Sequence, residues 1–268
     1  MHSISVFLQT PWKYRNLLTQ VTLREIATRY KGLSLGIIWS FIHPLLLMGI
    51  YYFVFGLIFK PRWPQAEGAR GEFMLILFLG IIIYDVCATA LTKGPQLITN
   101  QVSYVKKVIF PLEIISWSAL GSTLFFFLQA AALWVLIAFA FGVIQAASLL
   151  YFIPLVFCMT GYYLMLTWFL SAIGVFIRDI AQIMQPFSMF VLFLTPIFYP
   201  LSAVPEDLRF VFIFNPLAFM VESARNVLLF HQSPQWGMYC TYTALGWLGA
   251  FGAFLFFNRC KDQFADCM

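Results

Sequence analysis

Residues 34–59 read SLGIIWSFIHPLLLMGIYYFVFGLIF, which is 26 residues without a single Asp, Glu, Lys or Arg. A run of this length can cross the hydrocarbon core of a bilayer, about 30 Å thick, as one α-helix. The strands of a membrane barrel would instead alternate in polarity over segments of about ten residues. The stretch therefore predicts a membrane-spanning helix.

The rest of the chain has the same character. Its 268 residues are 62% hydrophobic, 19% aromatic and only 10% charged, with a mean hydropathy of +0.85. Because soluble domains carry about a quarter charged residues, the composition excludes a soluble enzyme, a nucleic-acid-binding protein and a disordered linker. Apolar runs predict an all-α membrane protein, one domain over 1–268, with six transmembrane helices at about 34–59, 73–92, 114–141, 149–176, 180–200 and 237–257.

The basic residues predict the orientation of the chain. An even number of spans places both termini on one side of the membrane, and that side collects 11 of the 16 Lys and Arg residues. By the positive-inside rule this is the cytoplasmic side. The net charge of +5 thus follows from membrane orientation and requires no nucleic acid as a partner.

An N-terminal helix is predicted over residues 11–31, before the first span. Its first half has an apolar face at Tyr14, Leu17, Leu18 and Val21, and its second half has another, about half a turn away, at Leu23, Ile26, Ala27 and Tyr30. Two explanations remain open: the helix breaks near Thr22, or its second half packs the opposite face against protein. The segment is predicted as an amphipathic helix at the membrane interface, as a docking surface for a cytoplasmic partner, or as both.

Two segments between spans predict further short helices. The cytoplasmic loop 93–113 allows one between Pro95 and Pro111, since the residue before a proline disfavours helix. The segment 201–236 contains two apolar pieces too short to span a bilayer. Asn215-Pro216 is typical of an N-cap followed by proline at the first helical position. Two helices dipping back into the outer leaflet fit this pattern, with Glu222 and Arg225 paired at i and i+3.

The sequence shows no catalytic or metal-binding pattern. It has no GxxxxGK[ST], no HExxH and no nucleophile elbow, and its five cysteines lack metal-ligand spacing. Asp85 is the one acidic residue clearly inside a predicted span, which is a poor basis for a proton relay. Aromatic residues are abundant instead, and they could face lipid, fill the core or line a passage, because sugar rings stack on aromatic faces. Candidates for such a lining are Tyr51, Tyr52, Phe55, Phe59, Phe187, Phe190, Phe193, Phe198 and Tyr199.

Four ordered motifs give the sequence a family resemblance. They are Leu23-Arg24-Glu25-Ile26 with Arg29-Tyr30-Lys31, Leu35-Gly36, Trp39 and Pro44; Asn100 through Lys106-Lys107-Val108-Ile109-Phe110-Pro111-Leu112-Glu113; Arg178-Asp179-Ile180; and Thr195-Pro196-Ile197-Phe198-Tyr199-Pro200 with Val204-Pro205, Asn215-Pro216, Glu222 and Arg225. Each motif alone is weak, but the ordered set, from about residue 17 to 230, resembles the ABC-2-type permeases that export cell-surface polysaccharides.

The resemblance implies an assembly and roles for particular residues. It implies a homodimer in a bacterial inner membrane, paired with two copies of an ATP-binding subunit that binds ATP and Mg, so that this chain holds no cofactor and is not an enzyme. The implied contacts with that subunit, through the N-terminal helix and a coupling helix in loop 93–113, are Arg24, Glu25, Arg29, Asn100, Lys106, Lys107, Phe110 and Pro111. The implied extracytoplasmic gate includes Pro205, Asn215, Pro216, Glu222 and Arg225.

The cargo implied by the resemblance is a polyprenyl-diphosphate-linked polysaccharide, with O antigen of lipopolysaccharide preferred. Capsule, teichoic acid or another lipid or drug are alternative cargoes. Outside transport, a membrane scaffold or sensor and a membrane glycosyltransferase are the competing hypotheses, and the lack of clustered acidic residues disfavours the last.

Overall fold

A computed structural model describes residues 2–32, 34–59, 70–101 and 110–267. This part of the chain is helical and contains no β-strand, which confirms the all-α prediction for it. Its α-helices are α1 (His2–Lys13), α2 (Arg15–Tyr30), α3 (Trp39–Tyr51), α4 (Arg70–Lys93), α5 (Ile114–Ala140), α6 (Phe152–Phe176), α7 (Ile180–Leu194), α8 (Arg209–Ile213), α9 (Pro216–Leu228), α10 (Trp236–Cys260) and α11 (Phe264–Cys267). Short 3₁₀ turns join several of them, including Gly94–Gln96 and Thr99–Gln101.

Five helical segments within the described ranges are long and apolar enough to cross a membrane. They are Gly36–Val54, Phe73–Gln96, Ile114–Ala140, Ala146–Phe176 and Trp236–Gln263. These segments coincide with the first four predicted spans and with the last one. The chain therefore has the helices of a multi-pass membrane protein.

The remaining predicted span, 180–200, forms a shorter helix than expected. Helix α7 has 15 residues, which extend about 22 Å at 1.5 Å per residue. It ends at Leu194 because Thr195 precedes Pro196 and adopts an extended conformation, with ψ of 135°. A sixth crossing of the membrane stays a prediction.

The first span also departs from a uniform α-helix. It begins as a 3₁₀ turn at Gly36–Ile38, continues as α3 and then widens into a π-helix over Tyr52–Phe59. Three of the predicted lining residues, Tyr52, Phe55 and Phe59, lie in this π-helix. The side chains of Phe55 and Phe59 lie outside the described residues, so the clustering of these aromatic residues stays a prediction.

Helix α4 lies at the centre of the bundle. It is the most buried of the membrane-spanning segments and packs against α5, α6, α7 and α9. The indole N–H of Trp134 in α5 donates to the Leu75 carbonyl of α4 at 2.9 Å. Helices α6 and α10 pack along each other, whereas α3 and α7 leave about half of their apolar side chains exposed. Helices α3 and α7, which both pack beside α4, thus expose apolar surface on the outside of the bundle.

The N-terminal helix α1 is anchored in the bundle by one aromatic ring. Phe7 is buried, and its ring centre lies 5.3–6.2 Å from those of Trp168 in α6 and of Trp247, Phe251 and Phe254 in α10. Edge-to-face contacts of this kind add to the free energy gained by burial. Residues before position 11 were not predicted to be structured, so this helix is a finding of the structure.

Candidate functional site

A polar cavity of about 640 Å³ lies between α2, the C-terminal end of α4, the turn at Thr99–Gln101 and α5. Its polar lining consists of Arg24, Glu25, Thr28, Arg29, Lys93, Asn100, Gln101 and Ser122. Four of the residues predicted to contact an ATP-binding subunit, namely Arg24, Glu25, Arg29 and Asn100, are thereby brought together around one space. Lys93, Gln101 and Ser122 were not predicted.

Helix α2 packs against α5 at Gly121. A Cβ atom at Gly121 would come within 3.0 Å of the Thr22 side chain, so only a glycine permits this approach without a shift. The Thr22 hydroxyl donates to the Ser118 carbonyl at 3.5 Å. Helix α2 is unbroken at Thr22, and the break in the N-terminal segment falls at Tyr14, between α1 and α2. The first of the two open explanations, a break near Thr22, is therefore wrong.

The second half of α2 buries only part of the apolar face read from the sequence. Leu23 and Ala27 are exposed, whereas Ile26 and Tyr30 are half-buried. Arg29 and Tyr30 reach α5. The Arg29 guanidinium lies 4.2 Å from the centre of the Phe126 ring, and the Tyr30 ring lies 5.7 Å from the same ring. The side of α2 that faces α5 thus carries charge, and Leu23 is left on the outer side.

Glu25 is the carboxylate of the polar cavity. Burial raises the pKa of its carboxyl above the ordinary value, and the Ser122 hydrogen bond and the charge of Lys93 oppose that rise only in part. A carboxylate in such a place costs free energy on folding, because desolvation disfavours its charged form. The ionised Glu25 carboxylate therefore lowers the stability of the folded state from its position at this cavity.

The predicted coupling loop is only partly described. Lys106 and Lys107 lie outside the described residues. Phe110 and Pro111 are half-buried just before α5 begins. The nearby Glu113 carboxylate accepts a hydrogen bond from the Lys261 ammonium, so the start of α5 is tied to the end of α10. The loop therefore ends where α5 is linked to the end of α10.

Some of the aromatic lining candidates come together in space. The Tyr51 ring, at the end of α3, lies 5.7 Å from the Phe198 ring, and Phe198 lies 6.0 Å from Phe193 of α7. The Tyr199 hydroxyl donates to the Phe193 carbonyl at 2.8 Å. These four residues form one cluster where α3 and α7 end.

The other candidates stand apart from that cluster. Phe187 and Phe190 pair with each other at 6.2 Å and are exposed on α7. Tyr52 is half-buried in the π-helix, and the side chains of Phe55 and Phe59 lie outside the described part of the chain. The structure thus groups the candidates into a cluster and a pair.

Asn215 caps α9 and binds the end of α7. Its side-chain oxygen accepts from the backbone N–H groups of Leu217 and Ala218 at 3.0 and 3.4 Å. Its amide nitrogen donates to the Thr195 hydroxyl at 3.2 Å and to the Leu194 carbonyl at 3.5 Å. The predicted Asn215-Pro216 helix start is confirmed, and the same side chain connects α9 to α7.

Arg225 makes a second connection from the other end of α9. It is completely buried. Its guanidinium donates to the carbonyls of Ile76 at 3.2 Å, Pro196 at 2.6 Å and Ile197 at 2.9 Å. It also forms the predicted ion pair with Glu222, at 3.0 Å. Burial lowers the pKa of Arg225 to about 10, which leaves it charged at neutral pH. One side chain thus joins α9, α4 and the bend after α7.

The segment after Pro205, another residue of the implied gate, is attached more weakly than α9. A 3₁₀ turn at Glu206–Leu208 follows Pro205 and leads into the five-residue helix α8. Arg209 donates to the Val204 carbonyl at 3.1 Å, and its 3.5 Å ion pair with Glu206 is exposed. Exposed ion pairs of this kind contribute at most about 1 kcal/mol. The firm attachment is therefore that of α9.

Asp85 faces a second cavity, of about 310 Å³, between α3, α4 and α5. Arg29 and His43 line the same space, together with Trp39, Phe78, Phe126 and Phe127. Among the described residues, no Lys, Arg or His nitrogen lies within 4.0 Å of the Asp85 carboxylate. No group of three or more His, Cys, Asp or Glu residues that could hold a metal ion occurs within the described ranges.

The family model of the ABC-2 type transporter matches residues 16–229, from the second residue of α2 to just after the end of α9. The chain belongs to the ABC-2 type transporter family. It is 25% identical over 257 residues to the O-antigen export system permease protein RfbA of Myxococcus xanthus, an alignment that covers 95% of this chain and 96% of that protein. It is also 26% identical over 215 residues to a protein of the same name from Klebsiella pneumoniae, over 80% of each chain.

Membership of the ABC-2 type transporter family agrees with the apolar helices. The chain is a multi-pass membrane protein and a transport subunit, of a family whose permeases work with an ABC ATP-binding subunit. Helix α1 and a contact between α4 and α7 are among the features of this ABC-2 transporter that the sequence reasoning missed. Phe7 gave too short an apolar signal to predict α1, and the contact of the Tyr84 hydroxyl with Ser188, at 2.7–2.8 Å, joins residues of two different helices.

Proposed function

We propose that this chain is the channel-forming subunit of an ATP-driven exporter of lipid-linked cell-surface polysaccharide, with O antigen of lipopolysaccharide as the cargo. The observation that carries the proposal is the similarity to the O-antigen export system permease of Myxococcus xanthus over 95% of this chain. Capsule, teichoic acid or another lipid-like cargo are the alternatives within the same family.

The proposed assembly is a homodimer of one transmembrane domain of residues 1–268. Two copies of an ATP-binding subunit complete it and bind ATP and Mg. The sequence supports this division of labour, because it has no GxxxxGK[ST] for binding ATP phosphates. The exposed apolar faces of α3 and α7, with Ile50 and Phe190 more than half exposed, offer a surface for the second copy. The apolar runs support six crossings of the inner membrane, and the distribution of basic residues supports a cytoplasmic position for both termini.

The proposed transport path gives the polysaccharide hydroxyls hydrogen-bond partners while they cross the membrane. Polysaccharide hydroxyls cannot cross lipid without hydrogen-bond partners. The cluster of Tyr51, Phe193, Phe198 and Tyr199 provides aromatic faces for sugar rings and two phenol groups for hydroxyls. Weak contacts repeated in two copies would let a polymer slide without being trapped.

The proposed drive comes from the cytoplasmic side. Closure of the ATP-binding subunits would displace α2 and the loop 93–113, with Lys106, Lys107, Phe110 and Pro111 among the contacts. Helix α2 is packed on α5 through Thr22 and Gly121, so a displacement reaches the membrane helices directly. At the other side, Pro205, Asn215, Pro216, Glu222 and Arg225 belong to the proposed re-entrant gate.

Deletion of the gene in its source bacterium tests the function. We expect surface polysaccharide to be lost and lipid-linked glycan to accumulate inside the cell, as measured by immunoblotting of intact and lysed cells. A plasmid copy with Gly252→Ala, at a helix position with open space around it, should restore export as the wild type does. Unchanged surface polysaccharide would reject the polysaccharide cargo, and a chain that purifies without an ATPase subunit would favour a scaffold.

A double substitution tests the coupling loop. Lys106→Glu with Lys107→Glu should abolish export because it reverses the charge presented to the ATP-binding subunit, while the protein still inserts in the membrane. Export at the wild-type level by this variant would remove the loop from the docking surface. The same substitution type at exposed Lys31, just after α2, is the matched control.

A further inference from the structure

A third cavity, of about 370 Å³, lies between α4, α6 and α7 and is bordered at one end by α8 and the start of α9. Its lining side chains are almost all aliphatic, aromatic or sulfur-containing, among them Met159 of α6, Val191 of α7 and Met220 of α9. Two of its walls belong to the membrane-spanning segments Phe73–Gln96 and Ala146–Phe176. This apolar cavity therefore lies within the part of the bundle that is surrounded by lipid.

The hydroxyl and amide side chains that line the apolar cavity already have hydrogen-bond partners. The Tyr162 hydroxyl donates to the Tyr242 carbonyl at 2.9 Å, and the Tyr163 hydroxyl lies 3.0 Å from the Thr123 hydroxyl. The Asn215 side chain uses its oxygen to cap α9 and its nitrogen to bind the end of α7. Because a buried water requires several polar partners, the lining favours a ligand made of hydrocarbon over water.

The apolar cavity extends from the surface of the bundle to its central helix. Phe187 of α7 and Phe214, just after α8, line it and are 43% and 82% exposed. Cys87 lies on α4, the most buried of the membrane-spanning segments, yet its side chain is only half-buried and lines the same space. A thin apolar molecule can therefore enter beside Phe187 and reach Cys87 without leaving the membrane.

We propose that the apolar cavity binds one hydrocarbon chain of a membrane phospholipid, which inserts between α6 and α7 and contacts Cys87. The lining atoms of an empty cavity would forfeit dispersion contacts, and a flexible chain from the surrounding lipid restores them. Met159, Met165 and Met220 line the cavity, and methionine side chains adapt to an irregular apolar ligand. The site goes beyond the proposed function, because it depends only on the membrane around the chain and not on the cargo.

A second copy of the chain does not fit as the occupant of this space. Helices α4, α6 and α7 contact one another, so the cavity between them does not admit a further helix, which is about 10 Å across with its side chains. A second copy could cover Phe187 and Phe214, but it would leave the space in front of Cys87 unfilled. A single lipid chain is much narrower than a helix and can fill that space.

Photo-crosslinking tests the proposal on the full-length chain, purified with its ATP-binding subunit and reconstituted in nanodiscs. The probe is a phosphatidylcholine with a diazirine near the end of one acyl chain, and labelled residues are identified by peptide mass spectrometry. We expect Cys87 to be labelled. Val191→Trp, which fills the cavity from α7, should lower this labelling about tenfold, whereas Ile183→Trp, at an exposed position of α7 outside the cavity, should leave it unchanged.

Competition in the wild-type protein adds a measurement that requires no variant. Palmitic acid should displace the probe from Cys87 and leave the labelling of Leu136, an exposed residue of α5, unchanged. Labelling of Leu136 without labelling of Cys87 would overturn the proposal, whether the cavity is empty or covered by a second copy. Full labelling of Cys87 in a Val191→Trp variant that melts at the wild-type temperature would also overturn it. Stronger displacement by farnesol than by palmitic acid would replace the phospholipid chain by a prenyl chain.

Discussion

The Arg225 guanidinium occupies the space that a side chain at Gly80 would need. Its Nη2 atom lies 2.8 Å from the position of a Cβ atom at residue 80, and Ile197 lies 3.3 Å from the same point. A glycine in the middle of a central membrane helix thus accommodates a charge that comes from α9. The close fit explains how α4 can be packed tightly against the bend at Pro196 and Ile197.

Gly80→Ala should therefore destabilise the protein although alanine favours helix. The methyl group would push the guanidinium away from its carbonyl partners, and overpacking of this kind costs about 1–3 kcal/mol. Thermal unfolding in detergent measures the change. Gly252→Ala in α10, where nothing lies within 4 Å of the added Cβ, should be neutral or slightly stabilising. Equal melting temperatures for the two variants would contradict the fit of Gly80 and Arg225.

Arg225→Leu should be more damaging than Gly80→Ala. It leaves three buried carbonyl groups without their donor and the Glu222 carboxylate without its cation, and breaking a buried ion pair costs about 3–5 kcal/mol. Limited proteolysis and melting temperature would report the loosening of α9. Arg209→Leu is the matched control, since its ion pair is exposed and contributes little. If both variants melt at the same temperature, Arg225 does not fasten α9.

The features that the sequence predicted correctly depend on residues that lie close together in the chain. Run length and low charge predicted the apolar helices, and the Asn215-Pro216 pair predicted the start of α9, because the capping side chain bonds to backbone groups two and three residues ahead. The Glu222–Arg225 pair followed from helical spacing. Each of these interactions is confined to a few consecutive positions.

Most of the features that the sequence did not predict are contacts between residues far apart in the chain. The carbonyl partners of Arg225 lie up to 149 positions away, and Phe7 packs on residues of α6 and α10. No periodicity in the sequence encodes such contacts. The π-helix over Tyr52–Phe59 was missed for another reason, since its residues have the composition of an ordinary α-helical span. The polar cavity similarly required the positions of four separate segments.

Phe7→Ala should release α1 from the bundle. The side chain fills a buried site among four aromatic rings, and such truncations cost about 3–5 kcal/mol. Hydrogen exchange of residues 2–30 should rise, because α2 follows α1 after a single residue, Tyr14. Trp12→Ala, which removes a largely exposed ring from the same helix, should leave exchange near the wild-type rate. Wild-type exchange in Phe7→Ala would show that other contacts hold the N-terminal helix.

Glu25→Gln should stabilise the protein near neutral pH and lose that advantage in acid. Burial raises the pKa of Glu25, so the folded state binds the proton more tightly than the unfolded chain does. Stability from this group is therefore greatest at low pH and falls as the pH rises above the ordinary pKa of a glutamate. Because glutamine cannot ionise, the Glu25→Gln variant does not lose this stability as the pH rises. Melting temperatures from pH 5 to 8 should show the difference between Glu25→Gln and wild type shrinking as the pH falls.

Asp262→Asn, at an exposed position after α10, controls for the change in net charge. A constant difference across that range would mean that the Glu25 carboxyl is not desolvated by its position between α2 and α5.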